Sequence, residues 1–370
     1  MAAVALPLLA RPKVGALAAR SSTSHIPSLD GLRAVSFLLV FVSHAGLKDV
    51  VPGAFGVTVF FFLSGYLITT LMRREVETTG HVSLTGFYRR RALRILPPFY
   101  IVLVAATLLA GIGFAPGAPL RPMAVASQVL HFSNYWVAAH GWGGIAQGSG
   151  VYWSLAVEEH FYLVFPAAFL VLRRLRLTAR DQALAFWGVC ALVLAWRCAL
   201  VVLLHASVDR VELSSDTRVD SIAFGCALAV WHNPVLDATS GSRESPLWGR
   251  LALPAAVALL LLTFIVRAPV FRDTLRYTLQ GAALTPIFIM AVRHPGWRIF
   301  RVLNWRPLRF VGTISYSLYL VHHVVIYAVE QHSRFGAVAN AVLALLASLA
   351  IAWAMHVAIE KPCARLRKRL

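Results

Sequence analysis

The sequence predicts an all-α, polytopic integral membrane bundle of about ten transmembrane helices with both termini in the cytoplasm. Three observations predict it. First, 58% of the residues are hydrophobic and 14% charged, with a mean hydropathy of +0.69; a soluble domain has about 45–50% apolar and about 25% charged residues. Second, the apolar residues gather into runs near 31–48, 55–72, 95–115, 151–172, 183–205, 219–232, 248–266, 277–292, 308–329 and 337–359. Third, with the N-terminus set inside, 25 of the 35 Lys and Arg residues fall on cytoplasmic segments and 8 on outer ones, the bias that orients membrane helices. An odd number of spans would carry the basic C-terminal tail outside, so the even number fits.

Residues 1–27 read as a flexible cytosolic tail, because no basic residue precedes their short apolar run as a secretory signal requires. Residues 28–362 read as one transmembrane domain, and 363–370 as a basic cytosolic tail. A net charge of +19 would suggest nucleic acid in a soluble chain. Here the charges flank spans, and membrane lipid rather than nucleic acid is the expected partner. The four cysteines show no metal-ligand spacing, and no metal is expected. No internal repeat suggests the inverted halves of a transporter. The longest connection, 116–150, falls outside and contains "HFSNYWVAAHGWGG", an aromatic belt at the interface or a wall that stacks on sugar rings.

The first span lies in "SLDGLRAVSFLLVFVSHAG", Ser28–Gly46, with a fixed cation at Arg33 and an imidazole at His44. Eleven helical steps leave the two side chains roughly 20° apart around the axis and roughly 16 Å apart along it. Asp30 precedes Arg33 by one turn and is also a candidate N-cap. The second span, "GVTVFFFLSGYLI", offers Ser64 between close-packing glycines and a Phe60–Phe62 wall. At the third, "FYRRRALRILPPFY" places Arg90, Arg91 and Arg94 just before a Pro-Pro pair read as the start of a helix. Arg91 and Arg94 are helical neighbours, and arginine grips phosphate in a bidentate way. A phosphorylated cofactor approaching from the cytosol suits them.

The fourth span, "VYWSLAVEEHFYLVFP", carries Glu158 and Glu159 in mid-membrane, pointing about 100° apart. A carboxylate there needs a cation or its own proton. In "GTISYSLYLVHHVVI", Ser315, Tyr319 and His322 fall at i, i+4 and i+7 on one inward stripe. Ionisable groups inside spans are costly and mark function, which adds His160, Arg197, Asp220 and His323 to the residues to place.

Together these stretches resemble the acyltransferase-3 family of bacterial membrane O-acyltransferases, from about Leu29 to Pro362. The Arg-x10-His pair, "GVTVFFFLSGYLI", "RRALRILPPFY", "WSLAVEEHFYL", "SYSLYLVHH" and a terminal "EKP" occur in family order. Many members read Glu-Glu-Gln where this chain has Glu158-Glu159-His160. The resemblance implies acyl-CoA, with acetyl as the default group, as donor. It implies a hydroxyl acceptor on a surface polysaccharide, lipopolysaccharide or lipid-linked glycan, in the bacterial inner membrane, with possible glycan-assembly partners. It also implies Arg33 and His44 as the essential pair and Arg91 and Arg94 as the next functional residues.

On that footing His44 takes the acceptor proton, Glu159 or Glu158 holds its tautomer, and Arg33 binds donor phosphate or steadies developing charge. Arg91, Arg94 and Arg90 hold the donor, while Asp30, Ser64, Tyr319 and His322 border the substrates. A two-step route through Ser64, Ser154 or Ser315 is the mechanistic alternative to direct transfer. A macrolide-type small-molecule acceptor, a glycan flippase and a silent scaffold are the rival functions. With no soluble domain after the last span, transfer is expected to finish in the membrane domain or on a separate partner.

Overall fold

A computed structural model describes residues 26–115, 117–237, 248–367 and 369. The predicted N-terminal tail, apart from its last two residues, lies outside them, as does part of the inner segment at 243–250. Every regular element among the described residues is helical.

Helix α1, Pro27–Val42, runs into a π turn over Ser43–Leu47. Proline at its first position needs no hydrogen-bond partner and sets the helical φ. The cap is Ile26, so Asp30 belongs to the first turn and is not the N-cap that the sequence suggested. Helix α2 covers Gly53–Thr79, and α3 covers Leu84–Gly111 with the Ser83 hydroxyl accepting from the Gly86 N–H at 3.1 Å. The Pro-Pro pair therefore lies within α3 rather than at its start. The arginine block forms helix two turns earlier, and the prolines leave the Leu93 and Arg94 carbonyls without their usual donors.

The outer connection folds into α4, Pro122–Val129, and α5, Ser133–His140, pinned where Gln128 donates to the Ser149 carbonyl and hydroxyl at 3.1 and 2.9 Å. Then follow α6, Trp153–Arg174; α7, Ala179–Cys198; α8, Val208–Leu213; α9, Ser215–Val230; and α10, Leu253–Ile265. The last group is α11, Pro269–Asp273; α12, Leu275–Arg293; α13, Arg298–Arg301; α14, Arg306–Thr313; α15, Ser315–His332; α16, Ala337–Met355; and α17, Lys361–Arg367.

Among the described residues, eight helices are long and apolar enough to cross a membrane, or nine when α14 and α15, bent by 78°, count as one broken span. The chain is a multi-pass membrane protein. The remaining predicted span, 219–232, is α9. Its 16 residues reach about 24 Å, against roughly 30 Å of hydrocarbon. From Asp220 to Val230 every residue is buried, packed against α2, α7 and α12. A helix sheathed in protein need not match the lipid.

Two glycines let α9 and α2 touch backbone to backbone. A Cβ on Gly65 would stand 2.0 Å from the Ile222 carbonyl oxygen, and one on Gly225 would stand 2.1 Å from that of Phe62. Across the other face Arg197 and Asp220, both 0% exposed, pair at 2.7 Å, and Arg197 also donates to the Thr217 carbonyl at 2.7 Å. Such a pair is stable only with its remaining lone pairs used; Thr278 donates to the same carboxylate at 2.8 Å.

Candidate active site

A cavity of about 560 Å³ lies at the end of the bundle where α1 and α3 begin and α17 ends. One wall is apolar, built of Val57, Phe60, Phe61, Leu63 and Leu67 from α2 with Leu155 from α6. The other carries charge. Asp30 and Arg33 come from α1, Arg91 and Arg94 from α3, Glu158 from α6, and Glu360, Lys361 and Arg367 from the C-terminal turns. Arg33 lies 3.7 Å from Asp30. The α14–α15 bend sets Gly312 against α1, where a Cβ would stand 1.9 Å from the Asp30 carbonyl oxygen. Glycine is thus required for α15 to start beside Arg33.

Deeper in, the Ser64 hydroxyl donates to the Glu158 carboxylate and accepts from the Tyr162 hydroxyl at 3.0 Å. The Arg91 guanidinium covers the Tyr162 ring at 4.3 Å. The predicted stripe on α15 is present. Ser315 and Tyr319 line the cavity, and the Tyr319 hydroxyl shares a 2.7 Å hydrogen bond with Ser154. His322, one turn further, is fully buried.

His44 is not in the cavity wall. It stands in the π turn at the far end of α1, where its Nδ1 meets His322 Nε2 at 3.0 Å and its ring stacks on His323 at 4.4 Å. The His322 Nδ1 lies 2.8 Å from the Tyr319 carbonyl. A carbonyl only accepts, so His322 carries its proton on Nδ1 and offers a lone pair at Nε2. His44 must then donate through Nδ1–H, which leaves the His44 Nε2 lone pair free. The element that fixes the His44 tautomer is a second histidine, 278 positions away in sequence, and not Glu158 or Glu159 as the sequence suggested.

Of the other expected residues, Glu159 and Arg90 do not line the cavity, and Arg90 is held by Glu75 at 2.8 Å. His160 shares a 2.7 Å hydrogen bond with Ser215 near the outer connection. Sequence reasoning did not single out Tyr162, Tyr316 or Arg367, which the cavity includes. Tyr162 stands at i+4 from Glu158, a spacing that the sequence does show. Among the described residues no group of three or more His, Cys, Asp or Glu side chains is placed to hold a metal ion.

The fold is a bundle of apolar helices around an arginine-rich cavity, with a pair of hydrogen-bonded histidines beyond it. The chain belongs to the acyltransferase-3 family, whose acyltransferase-domain model matches residues 26–357. It is 31% identical over 320 residues to the peptidoglycan O-acetyltransferase OatA of Listeria monocytogenes, covering 83% of this chain and 50% of that one. It is 33% identical over 319 residues to the putative peptidoglycan O-acetyltransferase YrhL of Bacillus subtilis, covering 82% and 49%. A putative O-acetyltransferase of Staphylococcus aureus strain COL is 30% identical over 323 residues, covering 83% and 52%. The chain thus spans about half the length of the curated relatives it matches. No solved structure gives a significant match.

Proposed function

We propose that this protein moves an acetyl group from acetyl-CoA to a hydroxyl of a cell-wall glycan across the bacterial cytoplasmic membrane. The sequence reading put surface polysaccharide and lipopolysaccharide first among acceptors. The names of the Listeria and Bacillus relatives favour peptidoglycan. The proposed topology has ten passes, the eight long helices plus the α14–α15 pair and α9, with both ends in the cytosol. The cationic cavity then faces the donor's compartment and His44 faces the acceptor's.

The observation that carries the reading is the chain from the Tyr319 carbonyl through His322 to His44, which leaves the His44 Nε2 lone pair free beyond Tyr319 of the cavity wall. In the proposed step His44 Nε2 removes the acceptor hydroxyl proton as that oxygen attacks the thioester carbonyl. The tetrahedral intermediate collapses to the ester and expels the thiolate, which takes the proton back from the imidazolium. Arg91 and Arg94 hold the donor phosphates, Arg33 steadies charge at the cavity end, and the α2 phenylalanines enclose the acyl arm. Tyr319 lines the cavity with its ring centroid 5.5 Å from that of His322, and in this proposal the arm passes Phe60 and Tyr319 to reach His44.

The test is mass spectrometry of cell-wall glycan from cells lacking the gene, restored with it, and restored as His44→Ala. Loss of the acetyl increment, regained with the unaltered gene alone, supports the reading. Removing a general base costs about 10²–10⁴-fold in rate. Full recovery by His44→Ala overturns the assignment, and absence of free thiol from acetyl-CoA would point to a transporter.

A further inference from the structure

The sequence suggests a basic tail from residue 363. The structure instead continues α16 through a π turn, His356–Glu360, into α17, and this segment forms part of the cavity wall. Glu360, Cys363, Ala364 and Arg367 all line it, at the three- and four-residue spacing that keeps side chains on one helical face. Arg365 and Leu366 on the opposite side are exposed. Three interactions hold this segment. Glu360 accepts from the Ser317 hydroxyl at 2.6 Å and pairs with His356 at 2.7 Å. The Lys361 ammonium sits 5.0 Å from the Trp353 ring centroid.

The charge balance of this mouth is lopsided. Arg91, Arg94, Lys361 and Arg367 line it together, and Arg367 is within electrostatic reach of Arg94 and Arg90. Among the described residues none of those four lining cations has a carboxylate within 4.0 Å. Three carboxylates share the cavity: Asp30 pairs with Arg33 at 3.7 Å, Glu360 is held by Ser317 and His356, and Glu158, hydrogen-bonded by Ser64, is the one within electrostatic reach of Arg91 and Arg94, so cations remain in excess. Four cations drawn around one partly desolvated space repel unless an anion joins them.

We propose that α17, which packs against α3, is the second arm of the donor site, resting on the acyl-donor reading above: Lys361 and Arg367 bind phosphate groups of a polyphosphorylated acyl donor beside Arg91 and Arg94. An elongated donor with phosphates at two separated points needs cations at two points along the cavity rim, which two adjacent helices can supply. Arg91 and Arg94, one turn apart on α3, supply one of them.

Cys363 supplies the test, since it lines the same mouth as a free thiol. The purified protein in phosphatidylcholine nanodiscs is treated with N-ethylmaleimide, and alkylation of the Cys363 peptide is followed by mass spectrometry against coenzyme A concentration. Coenzyme A is expected to protect the unaltered protein. Arg367→Gln and Lys361→Met are each expected to raise the protecting concentration about tenfold, the weight of one charged hydrogen bond, while Arg365→Gln leaves it unchanged. Arg367→Lys, which keeps the charge, is expected to fall between, and all variants are compared as monodisperse samples.

Equal protection of the unaltered protein and both α17 variants overturns this inference while leaving the donor reading intact. No protection of any form, with no thiol release from acetyl-CoA, overturns the donor reading itself. Protection by phosphatidylglycerol nanodiscs without coenzyme A, and none by coenzyme A, assigns the cations to a lipid headgroup and overturns the second-arm proposal.

Discussion

His44 and His322 meet nitrogen to nitrogen at 3.0 Å, and with both rings neutral one tautomer pair satisfies both this contact and the Tyr319 carbonyl behind it. In the proposed mechanism His44 is the base and His322 a positioning residue that acts through the His44 ring.

Replacing His322 with Ala should lower kcat about 10- to 100-fold with donor KM nearly unchanged, because the ring that fixes the His44 tautomer is gone. His322→Gln, whose amide oxygen can accept near the old Nε2 position, should recover part of that loss. Steady-state kinetics on the three proteins checks it; a change confined to KM would contradict the positioning role.

Arg94→Ala should raise donor KM about tenfold with kcat little affected, as expected for binding made equally in ground and transition states. Arg90→Ala should act mainly on stability and by less than about 1 kcal/mol, since its partner Glu75 forms a half-exposed bridge of the kind that contributes little. Donor titrations and thermal unfolding in detergent separate the two.

Phe60→Trp should block transfer while leaving donor binding in place. On the proposed path the acyl arm passes Phe60, which lines the cavity with its ring centroid 5.8 Å from that of Tyr319. Coenzyme A protection of Cys363 should persist in a protein that no longer acetylates glycan.

Asp220→Asn should destabilise the protein by about 3–5 kcal/mol, because it strands the Arg197 charge where neither residue meets water. A lower unfolding midpoint with an unaltered donor titration in the folded fraction is the expected result.

In the outer connection, burial and the neighbouring His160 hold the His131 imidazole down to about 4. The unfolded ring near 6.5 binds a proton first as pH falls. Stability of this connection should therefore be full above about pH 6.5 and decline as pH drops toward 4. Hydrogen exchange of α4 and α5 between pH 7 and 4.5 should show it, and His131→Asn should flatten the dependence.

Much of the site could be read before any coordinates. The α15 stripe of Ser315, Tyr319 and His322 followed from helical spacing, and the Arg91–Arg94 neighbours from theirs. What the spacing hid was contact across the bundle. Nothing local joins His44 to His322, and two mid-span glutamates made a more obvious partner for an imidazole. The Pro-Pro pair misled because proline is tolerated inside a membrane helix whose freed carbonyls find other donors. A tail of charged residues gave no hint of α17, whose Cys363, Ala364 and Arg367 continue an inward stripe from Glu360 in the π turn with no hydrophobic period.

The shortness of α9 has a bearing on where the protein can work. Bilayers of different lipid content vary by several ångströms in thickness, and helices that face lipid answer by tilting or by deforming the membrane around them. Residues Asp220–Val230 are buried against neighbouring helices, so that mismatch falls on the outer ring. The Arg197–Asp220 pair and the backbone contacts at Gly65 and Gly225 are insulated from it, and a cell can remodel its lipids without retuning the centre of this bundle.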